Sequence, residues 1–205
     1  MGGRDKLSGV KTIYKESTLE VMGNEAPTVY YIVNGKGFKS ETDFSGQKII
    51  SCVTDKGGWS VNPMMGQTTP TAMPSDQLKA AQGQMQVFGP LLDYASQGNK
   101  VELVGREDVN GVSAYKIKVT TKDSLESIMF LDPNTYYTLK ITSKVNAGGQ
   151  ETETAFNFSD YRKTDFGVVM PFSLQIVLPQ ITININDKKI EVNKDIDPKI
   201  FEMPK

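Results

Sequence analysis

The sequence has no histidine and a single cysteine, Cys52. Without imidazole there is no side chain poised to exchange a proton near neutral pH, no Ser-His-Asp or Cys-His pair, and no ordinary zinc site. One cysteine makes no internal disulfide, so cysteine counting leaves the redox compartment open. Cys52 lies in the apolar run Ile49-Ile50-Ser51-Cys52-Val53, the setting of a buried structural thiol rather than a reactive one. An excess of one charge is also lacking. Lys and Arg number 23 and Asp and Glu 24, and no stretch concentrates the basic residues as phosphate binding requires, which argues against nucleic acid as a partner. No segment approaches the ~20 apolar residues of a membrane-spanning helix, and no signal peptide opens the chain.

Other catalytic signatures are missing as well. No G-x-S-x-G elbow occurs, and Gly35-Lys36-Gly37 reads as a hairpin turn because no helix follows it. The carboxylates Glu102, Glu107, Asp108, Asp160 and Asp165 include an adjacent pair, but paired acids in turns are commonly solvated. The sequence therefore predicts no enzyme, no cofactor and no metal.

What is present is strand. At 205 residues the chain suits one domain, 1–205. Runs such as Val29-Tyr30-Tyr31-Ile32-Val33 are β-branched and aromatic, and Asn34-Gly35 is a hairpin signal. Tyr115-Lys116-Ile117-Lys118-Val119 alternates cleanly, as a half-buried antiparallel strand does. From Val168 to Leu178 the apolar residues fall on one side, which must be covered. A final hairpin is expected around Asn186-Asp187. The reading is mainly β with an α insert (α+β): strands over 10–62 and 99–195, about ten or eleven in all. They form a curled antiparallel sheet or incomplete β-barrel, because a sheet this long tends to curl.

One interruption breaks the strands. After Pro74, with Ser75 as expected N-cap, Leu78, Ala81 or Gln82, Met85, Phe88, Leu92 and Ala95 recur at helical spacing; Gly89-Pro90 interrupts them and Gly98-Asn99 ends them. This predicts two short helices, hinged, forming a lid over 74–98. Met64, Met65, Met73 and Met85 gather near the expected cavity mouth. They suit either ordinary packing or a surface accepting varied apolar shapes. Trp59, the sole tryptophan, is either a core anchor or part of the entrance. The apolar lining expected for a cavity under the lid is Trp59, Met64, Met65, Met73, Leu78, Met85, Phe88, Leu91 and Leu92. A ligand there would be lipid-like, and a structural or protein-interaction module with a filled barrel stands as the other reading.

Several stretches in order resemble the LolA/LolB-like outer-membrane lipoprotein-sorting family: GGRDKLSGVKTI at the start; Gly57-Gly58-Trp59-Ser60-Val61-Asn62-Pro63 before the insert; Phe130-Leu131-Asp132-Pro133-Asn134-Thr135-Tyr136-Tyr137; and Phe158-Ser159-Asp160-Tyr161 before Val169-Met170-Pro171-Phe172. The resemblance spans nearly the whole chain. It implies an incomplete barrel around helices, a cavity sheltering lipoprotein acyl chains, a monomer in the periplasm whose signal peptide has been removed, and membrane-associated donor or acceptor proteins. In the family's carrier an arginine on an early strand helps control the closed lid. Here the similarly placed residue is Lys39, a possible gate whose ammonium cannot reproduce an arginine fork.

Overall fold

Alternating apolar residues and two-residue turns dictate a meander, and a computed structural model of the chain has one. It describes residues 1–122, 124–147 and 150–204, and for residues 76, 80, 145–147 and 150–151 the backbone only. A short helix α1 (Arg4–Ser8) precedes strands β1 (Thr12–Val21), β2 (Asn24–Val33), β3 (Gly37–Phe44), β4 (Gln47–Thr54), β5 (Gly58–Asn62) and β6 (Gln67–Ala72). Helix α2 (Ser75–Gln82) follows. Strands β7 (Lys100–Val109), β8 (Val112–Thr120), β9 (Glu126–Leu131), β10 (Thr138–Ala147), β11 (Gln150–Lys163), β12 (Val169–Val177) and β13 (Thr182–Val192) complete the sheet.

The thirteen strands form one antiparallel sheet in the order β6-β5-β4-β3-β2-β1-β13-β12-β11-β10-β9-β8-β7. It is curled and unclosed. First and last strands pair in the middle, while the two free edges, β6 and β7, are neighbours in sequence. Residues 73–99 therefore connect one edge to the other.

Two strands differ from the sequence reading. Stretch 181–196, expected as a hairpin around Asn186-Asp187, is the single strand β13. The Asp marks a bulge: the pairing of β1 with β13 slips between Glu16 and Ser17, and the Asp187 carboxylate accepts from Ser17 Oγ at 2.6 Å and Lys15 Nζ at 2.7 Å. Strand β6, Gln-Thr-Thr-Pro-Thr-Ala, has no apolar alternation to announce it. It is an edge strand, where Pro70 costs no ladder hydrogen bond inside the sheet.

The insert also differs in its helices. Ser75 begins α2 rather than capping it, with Pro74 in the cap position and no side-chain cap. The second expected helix is a series of tight turns, since Gly89 (φ 67°) and Asp93 (φ 54°) adopt left-handed conformations that end α-helical pairing.

Strand alternation sorts side chains between two faces. The inner face, toward the insert, carries Phe38 and Val53, which with Met85 form a buried cluster that Tyr30, Ile32, Met73, Leu78 and Ala81 join. A second cluster joins Val10, Ile13, Val168, Met170 and Ile190, with Val87 and Phe88 packed on it. The expectation that the apolar side of 168–178 is covered holds at Val168 and Met170, both buried.

Candidate functional site

The insert is tied down at defined points. Met73 N–H donates to the Gly58 carbonyl at 2.9 Å, and Gly35 N–H in the β2–β3 turn donates to Met85 O at 2.9 Å. Asn34 Oδ1 accepts from Val87 N–H at 3.3 Å. Asn99 fastens the far end: its amide donates to Pro90 O at 3.1 Å and its carbonyl accepts from Lys122 N–H at 3.2 Å. Between these anchors the insert treats the inner face in two ways.

Over β3–β5, α2 packs directly. A Cβ added at Gly58 would lie 2.9 Å from Met73 Sδ and 3.1 Å from Leu78 Cδ1, so not even a methyl group fits between sheet and helix there. Beyond Gln82 the chain from Gly83 to Gly89 is irregular, and under it lies a mostly apolar pocket of about 360 Å³. Its floor comes from Ile13 and Ile32, from Met129 and Ile141, and from Phe156 and Phe158, with Met170 and Leu174 at the side. Val87 and Phe88 form its roof. This volume lies within the ~300–1,000 Å³ typical of small-molecule sites.

The polar side chains lining the pocket among the described residues are Lys15, Gln84, Gln86, Thr138 and Tyr161. Tyr161 donates to the Thr138 carbonyl at 2.6 Å and stacks on Tyr137 with ring centroids 4.3 Å apart. Burial pushes the Tyr161 hydroxyl well above the ordinary tyrosine pKa, so it remains a neutral donor. Lys15 is the one charged side chain lining the pocket among the described residues, and it is ion-paired to Asp187. Tyr30, on the same inner face, is likewise raised, first by burial and then by the charge of Asp187.

The expected lining residues are not all brought together. Phe88 lines the pocket. Met73, Leu78 and Met85 belong to the adjoining cluster under α2. Leu91 and Leu92 are half-buried, and Leu92 borders a separate hollow of about 180 Å³ with Asn34 and Gln97. Met64 and Met65 sit on the β5–β6 hairpin tip, 65% and 82% exposed, because β6 carries the chain back along β5 instead of into the insert.

Trp59 and Lys39 lie on the opposite face from the pocket. Gly58 faces α2, so the next residue, Trp59, faces outward, with its ladder neighbours Cys52 and Lys39. There the C-terminal segment covers them: Trp59 Nε1 donates to Phe201 O at 3.0 Å. Lys39 pairs with Glu41 at 2.7 Å and lies 5.7 Å over the Trp59 ring, on the wrong side of the sheet to reach a lid on the inner face. Burial pushes the Cys52 thiol up to about 11, against the opposing pull of Lys39. Of the acidic residues, Glu107 pairs with Lys116, Asp160 with Arg162, and Asp108 accepts from Gly111 N–H in its own turn.

Most of the pocket residues that sequence reading missed are strand residues, among them Ile13, Lys15, Ile32, Met129, Ile141, Phe156 and Phe158; Gln84, Gln86 and Val87 of the insert were missed as well. The available signal was alternation, which gives each residue a face but not which strands the insert leaves uncovered.

No family model and no curated protein matches the sequence. Solved structures do match its shape. A candidate outer membrane lipoprotein-sorting protein domain from Vibrio parahaemolyticus is 13% identical, with 97% of this chain and 93% of that one covered at a TM-score of 0.62. A LolA superfamily protein from Nitrosomonas europaea is 10% identical, with 97% and 94% covered at a TM-score of 0.65. The chain therefore has the LolA-like fold.

Proposed function

We propose that this protein is a non-enzymatic carrier or binding protein of the periplasm, and that it holds the acyl chain of a lipoprotein or a similar lipid-like ligand between the curled sheet and the stretch 83–89 of the insert that covers it. The observation that carries this reading is the apolar pocket of about 360 Å³ under residues 83–89. Each methylene moved from water into it gains ~0.8 kcal/mol, so a chain of about ten gains roughly 8 kcal/mol, comparable with the ~4–15 kcal/mol cost of association. The roof suits entry. It is an irregular stretch between Gly83 and Gly89, held to the sheet by a few hydrogen bonds rather than by a continuous helix. The fold shared with a lipoprotein-sorting domain supports the same reading.

The filled interior under α2 favours a second reading, a structural or protein-binding module whose insert serves only as core. A reporter placed in the pocket separates the two. Trp59 is unsuitable because it faces outward; the informative protein is Phe88→Trp in a Trp59→Phe background. Stripped of co-purified lipid and titrated with a diacylated lipopeptide, it is expected to show a saturable emission shift that the unacylated peptide does not produce. No shift with either peptide would favour the filled module.

A further inference from the structure

Among the described residues, Lys15 is the one charged side chain in the pocket lining. Lys15 extends from β1 into the apolar lining, its side chain 21% exposed, and its Nζ lies 2.7 Å from Asp187 Oδ2. Asp187 is 4% exposed and is held on its other oxygen by Ser17 Oγ at 2.6 Å. An ion pair so enclosed loses hydration on both partners, and apolar residues of similar volume often stabilise a fold as well or better. Its presence beside an apolar pocket points to use.

The pair has a definite chemical character. Asp187 neutralises Lys15, so the pair carries no net charge. Of the ammonium's three N–H donors, one is engaged by Asp187, which leaves two for a further acceptor. A free carboxylate placed there would bring an uncompensated charge into apolar surroundings. An uncharged carbonyl needs only a donor, and Lys15 supplies one.

We propose that Lys15, held by Asp187 and Ser17, is a specificity-determining residue that hydrogen-bonds an ester or amide carbonyl at the head of an acyl chain, so that the pocket takes O- or N-acylated ligands in preference to free fatty acids. This rests on the carrier reading above and names the ligand class it selects.

Competition against N-phenyl-1-naphthylamine, an uncharged dye, tests it with three ligands that share a ten-carbon chain: methyl decanoate, decanoate and 1-chlorodecane. In delipidated wild-type protein, decanoate is expected to displace the dye at least about tenfold more weakly than methyl decanoate. In the double variant Lys15→Met with Asp187→Asn, which leaves no buried carboxylate unpaired, methyl decanoate is expected to weaken about tenfold, the scale of a charge-assisted hydrogen bond, while 1-chlorodecane is unchanged. Decanoate binding as tightly as the ester, or the two neutral ligands weakening equally in the variant, would overturn the role of Lys15 and leave the carrier reading standing. Failure of both neutral ligands to displace the dye, or of the dye to bind, would instead overturn the carrier reading itself. If the double variant does not fold, the wild-type contrast between the two neutral ligands decides the matter: methyl decanoate is expected to bind more tightly than 1-chlorodecane once each is corrected for its partition from water, and equal corrected affinities would overturn the role of Lys15.

Discussion

The two halves of the interior use the same sheet and end differently. Under α2 the inner face of β3–β5 meets an eight-residue helix whose Leu78, with Met73 just before the helix, leaves no room at Gly58, and Met85 just after the helix completes the buried cluster. Under residues 83–89 the inner faces of β1, β2 and β9–β12 meet a roof whose joints are glycines, and about 360 Å³ stays open. Alternation makes both floors apolar. Whether a floor becomes core or pocket is decided by the regularity of what crosses it, because a helix presents a dense stripe of side chains and a chain of turns does not.

The sharpest way to break this contrast is to truncate one large side chain on each side. Met85→Ala, in the filled half, is expected to lose about 2–5 kcal/mol in urea unfolding, since its site is 6% exposed and closely packed. Leu174→Ala, on the pocket wall, should lose less than half as much, because its neighbours already face open space. Equal losses would mean the pocket half is as tightly packed as the other.

A smaller effect comes from adding one carbon. Gly58→Ala should destabilise by about 1–3 kcal/mol, as the added carbon meets the Cys52 carbonyl oxygen at 2.9 Å and displaces Met73 and Leu78. Gly83→Ala, at the start of the roof, meets nothing within 4 Å at φ −58°, and should be neutral or stabilise by up to about 1 kcal/mol through the unfolded chain. Thermal melts of the two variants moving together would erase the distinction.

The mildest probe is alkaline pH, which reaches the filled half from behind. Cys52 backs β4 on the outer face, and its thiol titrates near 11 rather than near its ordinary 9. The folded state disfavours the thiolate, so stability is full below about pH 9 and falls as pH rises toward 11. Cys52→Ala should flatten that limb in urea midpoints measured across the range. Any decline that persists at higher pH then belongs to tyrosines such as Tyr30, whose hydroxyl is raised further still.

Much of the architecture was legible in the sequence because period-2 alternation is strong in strands such as Val112–Thr120, where Val119 is fully buried. What escaped had specific causes. Strand β6 is an edge of threonines and glutamine, so burial leaves no pattern in it. Asn186-Asp187 has the composition of a turn, yet the aspartate's partners are 170 residues away, at Ser17, which local chemistry cannot anticipate. The candidate site was harder to read. Trp59 is the largest side chain before the insert, yet the inward position of β5 belongs to Gly58, whose contribution is the absence of a side chain. Face assignment in so short a strand turned on a residue that hydrophobic patterning does not register.

The seam between β1 and β13 bears on how the chain folds. Each wing of the sheet, β1 to β6 and β7 to β13, is a succession of neighbouring hairpins whose ladders need only short loop closures. One pairing, Ile13 with Val192 and onward to Val21 with Ile183, joins strands from opposite ends of the sequence. Entropy therefore concentrates the slow part of folding in a single long-range event. A circular permutant that links the two ends and opens the chain within the insert would convert that event into a local one. It should fold faster than the natural order, while leaving the same sheet behind.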